Sequence, residues 1–185
     1  MKNNKNIGAV LDASSLIIVA KLQEISTLYQ VFGILGIPSA VYRETVVAVK
    51  QRGKDDVLVI EAAIRSGFIE PITLTPGQNR FVETLHTSGG LGLGECEALA
   101  YANDTGIRLI IEERKGRAVA RAHSITYTVL QVFPLEGYIQ GKISFEQCVA
   151  ILERIAVAMN TDLAILTALK MAAKTIRRER EARND

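Results

Sequence analysis

Apolar residues along the chain gather in short unbroken runs, separated by longer stretches where they recur every three or four positions. Ile7 to Leu11 is the first run; it follows a polar tail and reads as a buried strand. Ser14 or Ser15 then caps a short helix through Lys21, and a second helix covers Ile25 to Gly33. Ile34 to Ile37, closed by Pro38, reads as a second strand. Helices are predicted over Ser39 to Lys50 and over Lys54 to Arg65, the latter with Val57, Ile60 and Ile64 on one face and Gly67 as its stop. Phe68 to Leu74 is a third strand, and Pro76 opens a helix through His86. Thr87 to Gly94 is glycine-rich and reads as a loop. Glu95 to Thr105 is helical, Ile107 to Ile111 is a fourth strand, Arg114 to His123 a helix and Ser124 to Val129 a fifth strand.

This alternation predicts a three-layer α/β/α fold, with a central, mostly parallel sheet of about five strands. Beyond Leu130 the pattern turns to helices only. Ser144 and Gln147 form a capping-box pattern for a helix to Met159, and Thr161 and Asp162 start a last helix to Glu181. The expected organisation is a domain over 1–143 with a helical C-terminal extension, 144–185, packed on it.

Composition narrows the class. With 185 residues, 48 % of them apolar, the chain can bury a real core, and its aromatic share of 5 % means that Ile, Leu, Val and Ala build it. A net charge of +2 neither demands nor excludes nucleic acid. Cys96 and Cys148, without a secretion-type leader in the polar Met1 to Asn6 stretch, imply a reducing cytoplasm. No run approaches the ~20 apolar residues of a membrane span; the nearest, Leu163 to Ala173, is interrupted by Lys170.

In open parallel sheets, ligands bind beyond the carboxyl ends of the strands. Asp12 directly follows the first strand there, and Glu112 and Glu113 follow the fourth. Glu95 starts the helix before that fourth strand, and Glu44 lies in the helix after the second. Each has a plain reading alone: Asp12 as a helix cap, Glu95 as a complement to a helix dipole, Glu44, Glu112 and Glu113 as solvated charges. Gathered at one edge they repel one another, and a hard divalent cation removes that repulsion.

These segments resemble PIN domains. VLDASSLI is similar to the family's opening strand and Asp. IPSAVYRET resembles its second signature, with an acid in the helix, and GLGECEALAYANDTGIRLIIEERKGR its third and fourth, joined. The resemblance runs from Ile7 to Ser144. In toxin-type PIN domains the third acid stands eleven residues before a helix-ending Gly and the fourth seven after it; from Gly106 this register selects Glu95 and Glu113. Glu97 falls outside it, about 200° from Glu95 around the helix. The family commonly carries Asp, often paired, where this chain has Glu112-Glu113.

The resemblance implies hydrolysis of RNA phosphodiesters with Mg²⁺ or Mn²⁺ held by Asp12, Glu95 and Glu113, with Glu44 on a second metal or its water, and Ser14, Glu112 and Glu97 in support. Arg114, Lys115 and Arg117 stand where they can meet RNA phosphates, or they are a solvated helix start. The interleaved Arg177, Arg178 and Arg180 read as a solvated face. A toxin of this type implies a homodimer and a small antitoxin partner; Ile165, Leu166, Leu169 and Ile176 offer an apolar surface for either, or for core packing. Two rivals remain: a non-catalytic PIN-like module binding RNA or protein, which the Glu112-Glu113 pair favours, and a phosphatase on a doubly wound fold, which the absence of an Asp-x-Asp at Asp12 disfavours. The stretch Gly89 to Gly94 lacks the Gly-Lys-Ser/Thr ending of a P-loop. His86, His123, Cys96 and Cys148 are assigned no chemistry.

Overall fold

A computed structural model describes residues 6–48, 55–87 and 90–184. Five parallel strands, β1 (Ile7–Leu11), β2 (Ile34–Pro38), β3 (Ile69–Ile72), β4 (Arg108–Ile110) and β5 (Tyr127–Thr128), lie in the order β3-β2-β1-β4-β5. Ten helices are found among the described residues: α1 (Ala13–Lys21), α2 (Ile25–Phe32), α3 (Ser39–Tyr42, continued by a π-helical turn, Arg43–Val47), α4 (Asp55–Arg65), α5 (Pro76–Thr87), α6 (Leu93–Thr105), α7 (Arg114–Ala122), α8 (Phe133–Ile139), α9 (Phe145–Ala158) and α10 (Leu163–Asn184). The expected three-layer α/β/α arrangement is therefore present, and its sheet is wholly parallel.

A parallel sheet is covered on both faces, so its inner strands read as unbroken apolar runs. β1 is the clearest case: Ala9, Val10 and Leu11 have no exposed surface. Gly8 lets the chain pass the end of α2, since a Cβ there would lie 1.5 Å from the Phe32 carbonyl oxygen; the β1–β2 register shifts at this point. α6 is buried almost all round, from Cys96 to Ala102, and joins Val10, Leu85, Leu109, Ile111 and Ala120 in one core.

The strand order decides where chemistry can sit. From β1 the chain steps one way to β2 and β3, then returns to the other side of β1 for β4 and β5. The reversal lies between β1 and β4, the place where open α/β sheets leave a crevice at their carboxyl ends. There the Asp12 amide donates to the Ile110 carbonyl at 3.2 Å, tying the two strand ends together.

Several boundaries move from the expected ones. α6 begins at Leu93, so Leu93 and Gly94 are helical; Ser88 and Gly89 of the expected loop lie outside the described residues, as do Val49, Lys50 and Lys54 of the two expected helices. β3 and β5 are shorter than the apolar runs that contain them.

Backbone contacts divide the chain after Val129 into two compact units. The second holds α8, α9 and α10. Ser144 and Gln147 form the expected reciprocal cap of α9, which buries Cys148, Ile151, Leu152 and Ile155. The Arg180 guanidinium lies 4.6 Å from the Tyr138 ring centre and donates to the Ile139 carbonyl at 2.7 Å. No helix among the described residues is long and apolar enough to cross a membrane.

Candidate active site

Asp12 leaves β1 as the N-cap of α1. Its Oδ1 accepts from the Ser15 amide at 2.7 Å, and its Oδ2 accepts from the Glu112 amide at 3.2 Å, across the β1–β4 reversal. It is fully buried. Burial pushes its carboxyl above the usual range; Ser15 and Glu112 oppose this through their hydrogen bonds, and the Glu113 charge adds to it. The residue that steadies Asp12 is Ser15, whose side chain is buried and close to the Ile110 carbonyl; Ser14 is exposed. An N-cap Asp accepting from the third residue after it is a readable signal that favours Ser15.

Glu95 sits at the third position of α6, and its Oε2 accepts from the Gly92 amide at 2.9 Å, closing the helix start upon itself. Its carboxyl is raised by burial, against the Gly92 hydrogen bond, and then by the charges of Asp12, Glu113 and Glu44. Glu113 is the N-cap of α7, accepting from the Lys115 amide at 3.3 Å. Glu44 is exposed on the π-helical turn, and its Oε1 accepts from the Gly94 amide at 3.3 Å. Gly94 leaves room for that carboxylate, because a Cβ would come within 3.2 Å of both Glu44 oxygens. The four acids are thus brought into one electrostatic neighbourhood, and among the described residues none of them is in an ion pair.

Glu97 goes elsewhere. It is buried, and its Oε2 accepts from the Ala40 amide at 2.7 Å, capping the start of α3, with the Arg43 guanidinium at 3.8 Å. Glu112 contributes backbone: its amide to Asp12 and its carbonyl to the Arg117 guanidinium. Arg114 and Lys115 are exposed beside Glu113, and the Lys115 ammonium lies over Gly90, where a Cβ would come within 2.8 Å of Nζ. Burial pushes the Cys148 thiol up to about 11 and raises Cys96 as well, so neither is a thiolate at neutral pH.

The donor set suits a hard divalent cation: carboxylate oxygens only, coupled by repulsion, with Glu44 and Glu113 exposed beside the buried Asp12. As placed, no three carboxylate, imidazole or thiol groups among the described residues converge closely enough to hold one.

Fold and rim together define an α/β/α protein with an acidic rim at the carboxyl edge of a parallel sheet, at its topological switch point. The chain belongs to the PIN-domain family: residues 8–155 match a family model described as a PIN domain. PIN domains are generally nucleases and typically use Mg²⁺ or Mn²⁺. No curated protein matches the chain.

Proposed function

We propose that this protein is a Mg²⁺- or Mn²⁺-dependent ribonuclease hydrolysing RNA phosphodiesters. The observation that carries the reading is the buried Asp12 at the β1–β4 switch point, electrostatically coupled to Glu95 and Glu113 from two other elements and, among the described residues, in no ion pair. Asp12, Glu95 and Glu113 would hold the ion, with Glu44 at its margin. A bound ion supplies Lewis-acid activation of water and neutralisation of the phosphate. Ser15 and the Glu112 amide hold the Asp12 carboxylate in one orientation. Arg114 and Lys115 supply cationic contacts to the RNA backbone beside the rim.

The test is labelled RNA incubated with the purified chain and Mn²⁺, beside EDTA and Asp12→Asn controls. Cleavage should need the metal, and Asp12→Asn should lose more than the ~10–100-fold typical of disturbing an outer partner of a metal site. Metal binding has its own readout: at 100 times its dissociation constant Mn²⁺ should stabilise by about 2.7 kcal/mol. Metal-independent cleavage, or an Asp12→Asn protein of wild-type rate, would refute the proposal.

The rival reading, a binding module without cleavage, draws support from Glu112-Glu113 and from the lack of three converged ligands. It predicts RNA or protein affinity unchanged by EDTA and no thermal shift with Mn²⁺. The Glu95–Gly106–Glu113 register supports a further step, a toxin silenced by a small antitoxin. Induced expression should then arrest growth, and Asp12→Asn should not.

A further inference from the structure

A second concave place lies at the other edge of the sheet, away from the acids. Between the end of α1, the start of α2 and the end of α4 there is a pocket of about 370 Å³. α1, nine residues and about 14 Å long, separates it from the rim. Ile25, Ala63 and Phe68 form its apolar part, and Gln23, Ser26 and Ser66 stand exposed around them. Among the described residues, no charged side chain lines it.

Gln23 is held in a conformation that glycine adopts more cheaply. The Gln23 amide donates to the Ala20 carbonyl at 3.0 Å and the Glu24 amide to the Val19 carbonyl at 2.9 Å, which closes the end of α1. Such a closure needs a left-handed residue, most often glycine. Across the pocket α4 ends in the same way and does use glycine, Gly67 at φ +75°. Gln23 instead takes φ +58° and is the longest side chain at a positive φ among the described residues. A long amide kept at a strained position points to a use for the amide. Among the described residues the Gln23 side chain, like the Ser26 and Ser66 hydroxyls, has no hydrogen-bond partner. Phe68 supplies a flat wall. Tyr29 stacks on it with ring centres 4.6 Å apart, and Tyr29 is not among the lining residues, so Phe68 turns a different surface to the pocket.

We propose that this pocket binds a free purine nucleoside, its base against Phe68 and Ile25 and the edge of the base read by the Gln23 amide. A side-chain amide offers a donor and an acceptor side by side, the pattern that matches adenine. Ser26 and Ser66 are left for the sugar hydroxyls. With no cation in the lining, a phosphate finds no charged partner there, which favours the nucleoside over a nucleotide or an RNA chain. The volume lies near the lower end of the ~300–1,000 Å³ of small-molecule sites, which limits the occupant to one such molecule. The inference is independent of the reading of the acidic rim.

Nuclear magnetic resonance titration of the full chain with adenosine, in EDTA, tests it. Adenosine should bind with a dissociation constant of about 1 mM or less, and 5′-AMP no more tightly. Gln23→Gly relieves the backbone and deletes the amide, so Tm should hold while adenosine affinity falls about tenfold, the loss of one or two hydrogen bonds. Ala62→Leu, at an exposed lining position on α4 and in a helix that leucine suits, should block binding with an unchanged circular dichroism spectrum. No binding of adenosine at several mM, 5′-AMP binding tenfold more tightly than adenosine, or a Gln23→Gly protein of wild-type affinity would each overturn the proposal.

Discussion

Glu97 separates two kinds of acid in this chain, and replacing it tests the distinction. Its carboxylate is buried and receives the Ala40 amide at 2.7 Å, at a residue that is itself only 2 % exposed. Glu97→Ala leaves that amide without its partner, away from water. A hydrogen bond to a charged group contributes roughly 1.5–3 kcal/mol, and an orphaned buried donor costs a similar amount. Arg43 adds little, because it is 56 % exposed and 3.8 Å away. The expected loss is about 2 kcal/mol, which lowers Tm by roughly 4–8 °C in a chain of this length. Glu97→Gln keeps an acceptor but loses the charge, and charge roughly doubles such a bond, so about half that loss is expected. Thermal melts in EDTA should rank wild type above Gln above Ala. The Mn²⁺-induced rise in Tm should survive in Glu97→Gln, because the residue faces α3 and not the rim. A Glu97→Ala protein melting with wild type would refute the capping argument. Loss of the Mn²⁺ shift in Glu97→Gln would return the residue to the metal site.

Two further outcomes follow from the rim. Gly94→Ala places a methyl 3.2 Å from both Glu44 oxygens and 3.1 Å from Val41, so Glu44 must move; RNA cleavage should fall by about tenfold while Tm changes little, since Ala gains up to ~1 kcal/mol over Gly in a helix. Asp12 and Glu95 have folded values above their ordinary 3.8 and 4.5, so the folded metal-free chain binds more protons than the unfolded one. Their contribution therefore turns unfavourable as pH rises from about 4 through the raised folded values. In EDTA, Glu95→Gln should gain stability relative to wild type across that window in urea melts, and parallel curves for the two proteins would contradict the sign.

Much of the sheet is legible in the sequence because parallel strands are buried on both faces and cannot alternate. β1 and β2 appear as plain apolar runs for that reason. β3 carries Glu70 and Pro71 and is an edge strand, where a proline costs no ladder bond, so its apolar run overstates its length. The start of α6 is hidden by Gly92 and Gly94, which mark a loop by composition; Glu95 closes the helix there by bonding back to the Gly92 amide. α8 is masked by Pro134 and Gly137, although a proline at the helix start breaks nothing. Asp12 and Glu113 follow strand ends, and the register that the family resemblance implies points to Glu95 and Glu113. The partner of Glu97 could not be found in this way, because Ala40 is 57 residues away and only packing brings the two together. The π-helical turn that presents Glu44 has no local signature either.

Helix capping alone explains too little of the rim. Asp12 and Glu113 cap α1 and α7, and Glu95 completes the cap of α6, so three helix starts meet at one edge of the sheet. A neutral side chain caps as well as a charged one, and this chain uses one: Ser144 caps α9 with a hydroxyl. At the rim, ionisable groups are used instead, where burial and mutual repulsion push Asp12 and Glu95 away from the charged state. Glu44 joins them from a turn whose start it does not cap, against a glycine that leaves room for its carboxylate. Three neutral caps would hold the same helices without that repulsion. The charge is therefore left unexplained by capping, and the proposed divalent cation would turn the repulsion among these oxygens into binding.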